Sequence, residues 1–276
     1  MNYVEFKFRV KEPEVYRDIL LAQISHLPFE SFEETEDGLL AYIPDSLMNK
    51  EGLLKEIDTL EYIEDVVIRE LESVNWNEEW EREYKPIMVE NQCLIRAPFH
   101  PNDQRFLFQV IIKPQMSFGT GHHNTTYLMV KHLLNENIYK KAVLDMGCGT
   151  GVLAILAEQK GANPVWAIDN DEWAYKNTIS NCLLNGTEYV SVKFGDKSKI
   201  PDKKFDLILA NINKNILKSD MQTYADHMEK DAVLLLSGFF DVDIEEISKV
   251  AENCGLKVSR TDTREEWAIV KCIKPA

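Results

Sequence analysis

The chain of 276 residues has no C-x-x-C pair among its five cysteines, Cys93, Cys148, Cys182, Cys254 and Cys272. An odd number so widely spaced supplies neither a disulfide framework nor a zinc knuckle, and no bound metal is expected. No run of about 18 apolar residues occurs, and Met1 to Val10 alternates like a strand where a secretory signal would be continuously apolar. A soluble, cytoplasmic protein without membrane contact is expected. Basic residues are in deficit: 31 Lys and Arg against 46 Asp and Glu leave a net charge of −15. That balance repels a phosphate backbone and removes the main source of nucleic-acid affinity, so a basic protein is the better macromolecular partner. With 45% apolar and 28% charged residues, the chain is ordinary globular material for one large or two ordinary domains.

The acidity is concentrated at one end. Residues 1 to 75 hold 18 carboxylates against 7 basic side chains, or −11, which leaves −4 for the remainder. In that first quarter, alternation from Tyr3 to Val10 is followed by a helical stretch from Glu12 to Ser25 with apolar Val15, Ile19 and Leu20. Strands are expected at Phe29 to Glu34 and Leu39 to Ile43 about a turn at Glu36-Asp37-Gly38, then a helix from Asn49 to Leu60 and a strand near Val66 to Leu71. The order β-α-β-β-α-β is the ferredoxin-like split unit. RNA-recognition domains share this order but carry basic strands with stacking aromatics, whereas this module is strongly negative, so it reads as a protein-recognition module over 1–74. A helical connector over 75–86 sets Trp76, Trp80 and Tyr84 on one face as a packing stripe.

The third region, 87–276, opens with short strands at Ile87 to Val89, Cys93 to Ala97 and Phe106 to Ile112, a bridging layer. From about Asn124 helices and strands alternate, which is the signature of a parallel sheet with crossover helices. Strands are expected at Ala142 to Met146, Pro164 to Asp169, Val190 to Gly195, Phe205 to Asn211, Ala232 to Gly238, Leu256 to Thr261 and Trp267 to Ile273. Seven strands fit the Rossmann-like, doubly wound α/β class.

The strongest local signal is Asp145-Met146-Gly147-Cys148-Gly149-Thr150-Gly151, where a buried strand runs into glycines and then a helix. Glycines there let the backbone turn sharply and approach a ligand too closely for a Cβ. Eighteen residues after Gly151, Asp169 ends the next strand, where a carboxylate can accept both ribose hydroxyls. Together these imply an adenosine-bearing cofactor. Gly149-Thr150-Gly151-Val152-Leu153-Ala154 also satisfies the dinucleotide pattern, which keeps a nicotinamide-dependent oxidoreductase open. The full string with its strand-closing acid favours S-adenosyl-L-methionine, because Asp145 suits the ammonium of a methionine and would oppose a pyrophosphate.

At the end of the fourth strand stands Asn211, aimed at the donor methyl or the acceptor; Ile212-Asn213-Lys214 departs from the Asn-Pro-Pro-Tyr of some amino-group and amide methyltransferases, which argues against glutamine side chains or bases as acceptors. Upstream, Phe118-Gly119-Thr120-Gly121-His122-His123-Asn124-Thr125-Thr126 is glycine-rich with a helix start behind it, suited to capping and to binding a carboxylate. His123 is a candidate for positioning this loop.

These motifs occur in an order that resembles the ribosomal protein L11 methyltransferase (PrmA) family, within the class I S-adenosylmethionine-dependent methyltransferases. Phe118 to Gly121 with His123 and Thr125-Thr126, then Asp145 to Gly149, then Ala210-Asn211-Ile212 carry the likeness, with Asn75-Trp76-Asn77-Glu78-Glu79-Trp80 ahead and Glu265-Glu266-Trp267 behind. The resemblance implies cofactor contacts at Thr126, Gly147, Asp169 and Asn211, joined by Asp145, Gly149, Gly151, Phe118, Gly119, Thr120 and Gly121 from the two loops. It further implies N-methylation of the stalk-base protein of the large ribosomal subunit, at its α-amino group and at lysine ε-amines, with the first domain capturing that substrate; a separate capture module in turn favours a monomer. No general base is nominated. The competing readings are a methyltransferase for another protein or a small molecule, and a non-catalytic cofactor-binding partner of ribosome assembly.

Overall fold

The structure, a computed structural model, describes residues 3–71, 81, 83–114 and 123–276. Trp76 and Trp80 of the connector, and Phe118, Gly119, Thr120 and Gly121 of the upstream loop, lie outside the described residues. Contacts divide the chain into two compact units, Met1–Glu83 and Tyr84–Ala276.

In the first unit β1 (Tyr3–Val10), α1 (Pro13–Ile24), β2 (Ser31–Thr35), β3 (Gly38–Pro44), α2 (Lys50–Ile57) and β4 (Ile63–Leu71) form an antiparallel sheet ordered β2-β3-β1-β4 under two helices. The period-2 pattern of β1 turns Val4, Phe6, Phe8 and Val10 inward, all at most 3% exposed, where Leu20, Ile24, Leu53 and Ile57 meet them. The inner stripe of α1 is therefore Leu20 and Ile24, while Val15 and Ile19 stand outside, 51% and 41% exposed. Both stripes are apolar in sequence, so periodicity alone could not choose between them.

The second unit carries a small sheet, β5 (Ile87–Val89), β6 (Cys93–Arg96) and β7 (Phe108–Ile111), with β6 antiparallel to β5 and parallel to β7. Its open edge is closed by side chains instead of a strand. Asn185 accepts the Ile111 N–H at 2.8 Å and donates to the Ile111 carbonyl at 2.7 Å, and Asn181 accepts the Lys113 N–H at 3.0 Å.

The large sheet comprises β8 (Val143–Met146), β9 (Val165–Asp169), β10 (Val190–Phe194), β11 (Phe205–Asn211), β12 (Met228–Phe240), β13 (Lys257–Arg264) and β14 (Trp267–Ile273), in the order β10-β9-β8-β11-β12-β14-β13. β8 to β12 run parallel and β14 antiparallel. Expected and observed strands agree to within a few residues except at β12. It starts four residues before Ala232, because Met228 pairs with Phe205 ahead of a register shift. Helices α3 (Asn124–Asn135), α4 (Val152–Gln159) and α5 (Glu172–Asn185) cover one face, and α6 (Lys214–Asp226) and α7 (Ile244–Asn253) cover the other. Alternate residues of β8 and β11 feed the two cores, Val143 and Leu209 into one, Leu144 and Ile208 into the other. The strand order reverses between β8 and β11, and ligands bind such sheets at the carboxyl ends of the strands beside that switch point.

Candidate functional site

A cavity of about 980 Å³ opens at those strand ends. Of the residues that the sequence points to, Gly147, Gly149, Asp169, Asn211 and His123 line it. Thr126, Asp145 and Gly151 are buried and are not among the residues that line it.

The glycine turn after β8 is held from three sides. The Gly147 N–H donates to Ile168 at 2.8 Å, the Gly149 N–H donates to Asp169 Oδ2 at 2.8 Å, and Thr178 of α5 donates to the Gly149 carbonyl at 2.9 Å. Asn181 donates to the Thr150 carbonyl at 2.9 Å. Thr178 and Asn181, both 0% exposed, escaped sequence reading; their signal is a polar pair at an i, i+3 spacing on the inner face of a helix. Asp169 takes the Asp171 N–H on its other oxygen at 2.9 Å, and Asp171 in turn caps α5 through the Ala174 N–H at 2.9 Å. Each Asp169 oxygen keeps a lone pair after these bonds, the capacity needed for ribose hydroxyls.

Asp145 is 1% exposed, and its Oδ2 accepts the Ala154 N–H in the first turn of α4 at 3.2 Å. Its Oδ1 has no hydrogen-bond partner among the described residues. Burial, reinforced by the charge of Asp169 and opposed by the Ala154 bond, pushes its pKa up to about 7. An internal carboxyl group thus takes one of the free N–H groups at the start of α4 and sets its negative charge behind the glycine turn, which disfavours a dinucleotide's pyrophosphate there. Because the folded pKa lies above the unfolded one, folding takes up a proton, and stability falls as pH rises from about 4 to about 7. Asp145→Asn keeps an acceptor for Ala154 and loses the charge, so its urea midpoint should gain on that of the parent protein between pH 5 and pH 8. Parallel midpoints across that window would contradict the assignment.

Asn211 ends β11 in register with Ser237, and its Oδ1 is buried without a partner among the described residues. The following turn is wedged between two glycines. A Cβ on Gly147 (φ 69°) would lie 2.1 Å from Ile212 Cγ2, and one on Gly238 (φ 96°) would lie 2.3 Å from the Ile212 carbonyl oxygen. Asn213 then caps α6 through the Asn215 N–H at 2.9 Å. Ile212 and Gly238, both on the cavity wall, were invisible as site residues in sequence, because only the pairing of β11 with β12 brings them together.

His123 caps α3: its Nδ1 accepts the Thr125 N–H at 3.3 Å and lies 2.8 Å from Thr125 Oγ1. Its ring packs edge-on at 4.4 Å against Trp267, also on the wall, and burial lowers its pKa. Thr126, in the first turn of α3, is 0% exposed, with Oγ1 unpartnered among the described residues. Trp173 and Asn170 supply further wall beside Asp169. The set fits an adenosylmethionine: Asp169 for the ribose, Gly147 and Gly149 for close approach, and unpartnered acceptors at Asp145, Thr126 and Asn211. Among the described residues, no group of three or more His, Cys, Asp or Glu side chains could hold a metal ion, and no helix is long and apolar enough to cross a membrane.

Comparison with known proteins bears on the same region. The family model for ribosomal protein L11 methyltransferase (PrmA) matches residues 22–275. The chain is 42% identical over 282 residues to the ribosomal protein L11 methyltransferase of Porphyromonas gingivalis, covering 98% of this chain and 97% of that one. It is 42% identical over 279 residues to the Bacteroides fragilis protein of the same name, covering 99% and 100%. Among solved structures, a ribosomal protein L11 methylase from Lactobacillus delbrueckii subsp. bulgaricus superposes with a TM-score of 0.65 at 23% identity, covering 70% of this chain and all of that one, a likeness of fold.

Proposed function

Because the chain belongs to the ribosomal protein L11 methyltransferase family, we propose that it is an S-adenosyl-L-methionine-dependent N-methyltransferase acting on ribosomal protein L11, at its α-amino group and at lysine ε-amines. The observation that carries this reading is the buried, unpartnered Oδ1 of Asn211 at the end of β11 on the cavity wall, an acceptor placed to take an N–H from an incoming amine. When bound, the cofactor supplies a methyl group on a sulfonium, already activated for in-line displacement.

The work left to the chain is alignment and exclusion of water. Asp169 accepts the ribose hydroxyls, Gly147 and Gly149 leave room for the cofactor against the backbone, and Thr126 and Asp145 orient its methionine end. Asn211 turns the lone pair of the acceptor nitrogen toward the methyl, and His123 holds the start of α3. By the family resemblance Phe118, Gly119, Thr120 and Gly121, which lie outside the described residues, are also cofactor contacts, and Gly151 starts α4. An α-amine, with a pKa of about 7.7 to 8.0, sheds its proton readily, whereas a lysine near about 10.4 must lose it on desolvation.

Residues 1–74 serve as the substrate-recognition domain, 75–86 as its linker and 87–276 as the catalytic domain, acting as a monomer in the cytoplasm. The charge of −11 on residues 1–75 attracts a basic partner. Raising salt should therefore raise KM for L11 with little change in kcat, and a KM indifferent to salt would remove the electrostatic part of the reading. The direct test is to incubate the protein with labelled S-adenosylmethionine and unmodified ribosomal proteins, followed by mass spectrometry. Label on L11 at its N-terminus and lysines is expected; label confined to another acceptor would overturn the assignment.

A further inference from the structure

On the β12–β14 side, the cavity wall continues outward as an apolar lip. Past Gly238, β12 turns Phe239 into the core, 2% exposed, and Phe240 outward, 44% exposed. The Phe240 ring lies 4.4 Å from that of Trp267, which lies 4.4 Å from that of His123, so a row of three rings runs from the surface to the wall. Two residues beyond Phe240, Val242 is 82% exposed.

The charges beside this lip are predominantly negative. The Asp241 N–H donates to the Glu266 carbonyl at 2.8 Å, which joins the end of β12 to the β13–β14 turn, and Glu265 in that turn accepts from the Asn124 side chain at 2.8 Å. Asp241, Glu265 and Glu266 form no ion pair among the described residues. The neighbouring cations are committed elsewhere: Arg264 lies 3.6 Å over the Tyr127 ring, and Lys214 pairs with Asp243 at 2.7 Å and Glu246 at 3.2 Å.

An aromatic surface edged by unneutralised carboxylates is complementary to lysine, whose methylenes cover rings while its ammonium meets carboxylates and ring faces. From this complementarity, and from its continuity with the wall that carries Asn211, we infer that the lip formed by Phe240, Val242, Asp241 and Glu266 docks the lysine-bearing segment of the substrate protein. The inference rests on the proposed function and deepens it: the grip on the acceptor extends past the cavity, and neighbouring lysines favour methylation.

The test compares the parent enzyme with Phe240→Ala/Val242→Ala and with Asp241→Lys/Glu266→Lys, measuring KM and kcat on L11 and S-adenosylmethionine affinity by calorimetry. Each double variant should raise KM for L11 by about tenfold or more, with kcat and cofactor affinity changed less than about twofold. The charge-reversed variant should also show a weaker salt dependence of KM. KM values within about twofold of the parent would overturn the inference, as would cofactor affinity falling in step with KM, which would make the lip part of the cofactor wall. Variants that convert a dimer to a monomer in sedimentation would assign the surface to a second copy instead. If the parent enzyme labels no L11, the functional reading falls and this inference with it; if it labels L11 and the variants match it, the inference alone falls.

Discussion

Gly238→Ala is expected to lower kcat/KM about 100-fold in a chain that still folds. Its added Cβ would stand 2.3 Å from the Ile212 carbonyl oxygen, 2.8 Å from its carbon and 2.9 Å from its nitrogen. All three atoms are backbone, so no rotamer change relieves the contact, and φ 96° adds strain of its own for any residue with a Cβ. The turn from Asn211 to Asn213 must then shift, and with it the side chain proposed to align the amine. A misplacement of about 1 Å in a reacting geometry can cost about 100-fold. Gly147→Ala makes an informative comparison. Its Cβ would meet Ile212 Cγ2 at 2.1 Å, a side-chain contact that a rotamer change of Ile212 can relieve without moving the turn, so its effect should fall on cofactor affinity, at the wall where φ 69° and close approach favour glycine. Steady-state rates on L11, with thermal melts of both variants, decide the matter. Parent-like rates for Gly238→Ala would show that the turn does not set the reacting geometry.

The second large effect is expected at Asp169. Its two oxygens already fix the Gly149 and Asp171 backbones at 2.8 and 2.9 Å, so Asp169→Ala removes the proposed ribose acceptor and also frees the two loops that frame it. Hydrogen bonds to a charged group contribute about 1.5 to 3 kcal/mol, which corresponds to a loss of roughly 10- to 150-fold in cofactor affinity. Asp169→Asn keeps one carbonyl oxygen and should fall between the two. Calorimetric titration with S-adenosylmethionine and with its demethylated product reads this directly. Unchanged affinity would mean that the ribose lies elsewhere in the crevice.

The parts of the site that are legible in sequence are those whose chemistry is contiguous. Asp145 to Gly151 packs an acid, three glycines and a helix start into seven residues, and Asp169 follows at the end of the next strand. The alternation of β1 likewise makes its inner face readable, because a strand has only two faces. The helical stripe of α1 was less legible, since apolar residues stand on both sides of it and only the sheet beneath selects Leu20 and Ile24.

The sequence by itself determined the class of sheet, the glycine turn, the acid that ends β9 and the acidic character of the first module, because each rests on local periodicity, local backbone freedom or a count of charges. Tertiary structure alone decided which distant residues meet. The β11–β12 pairing sets Gly238 against Ile212, the β12–β14 pairing sets Phe240 beside Trp267, and α5 places Thr178 and Asn181 beneath the glycine turn. The physical reason is that contacts between residues far apart in sequence are fixed by strand register and helix packing. These depend on how the whole core fills, and no window of the chain contains them.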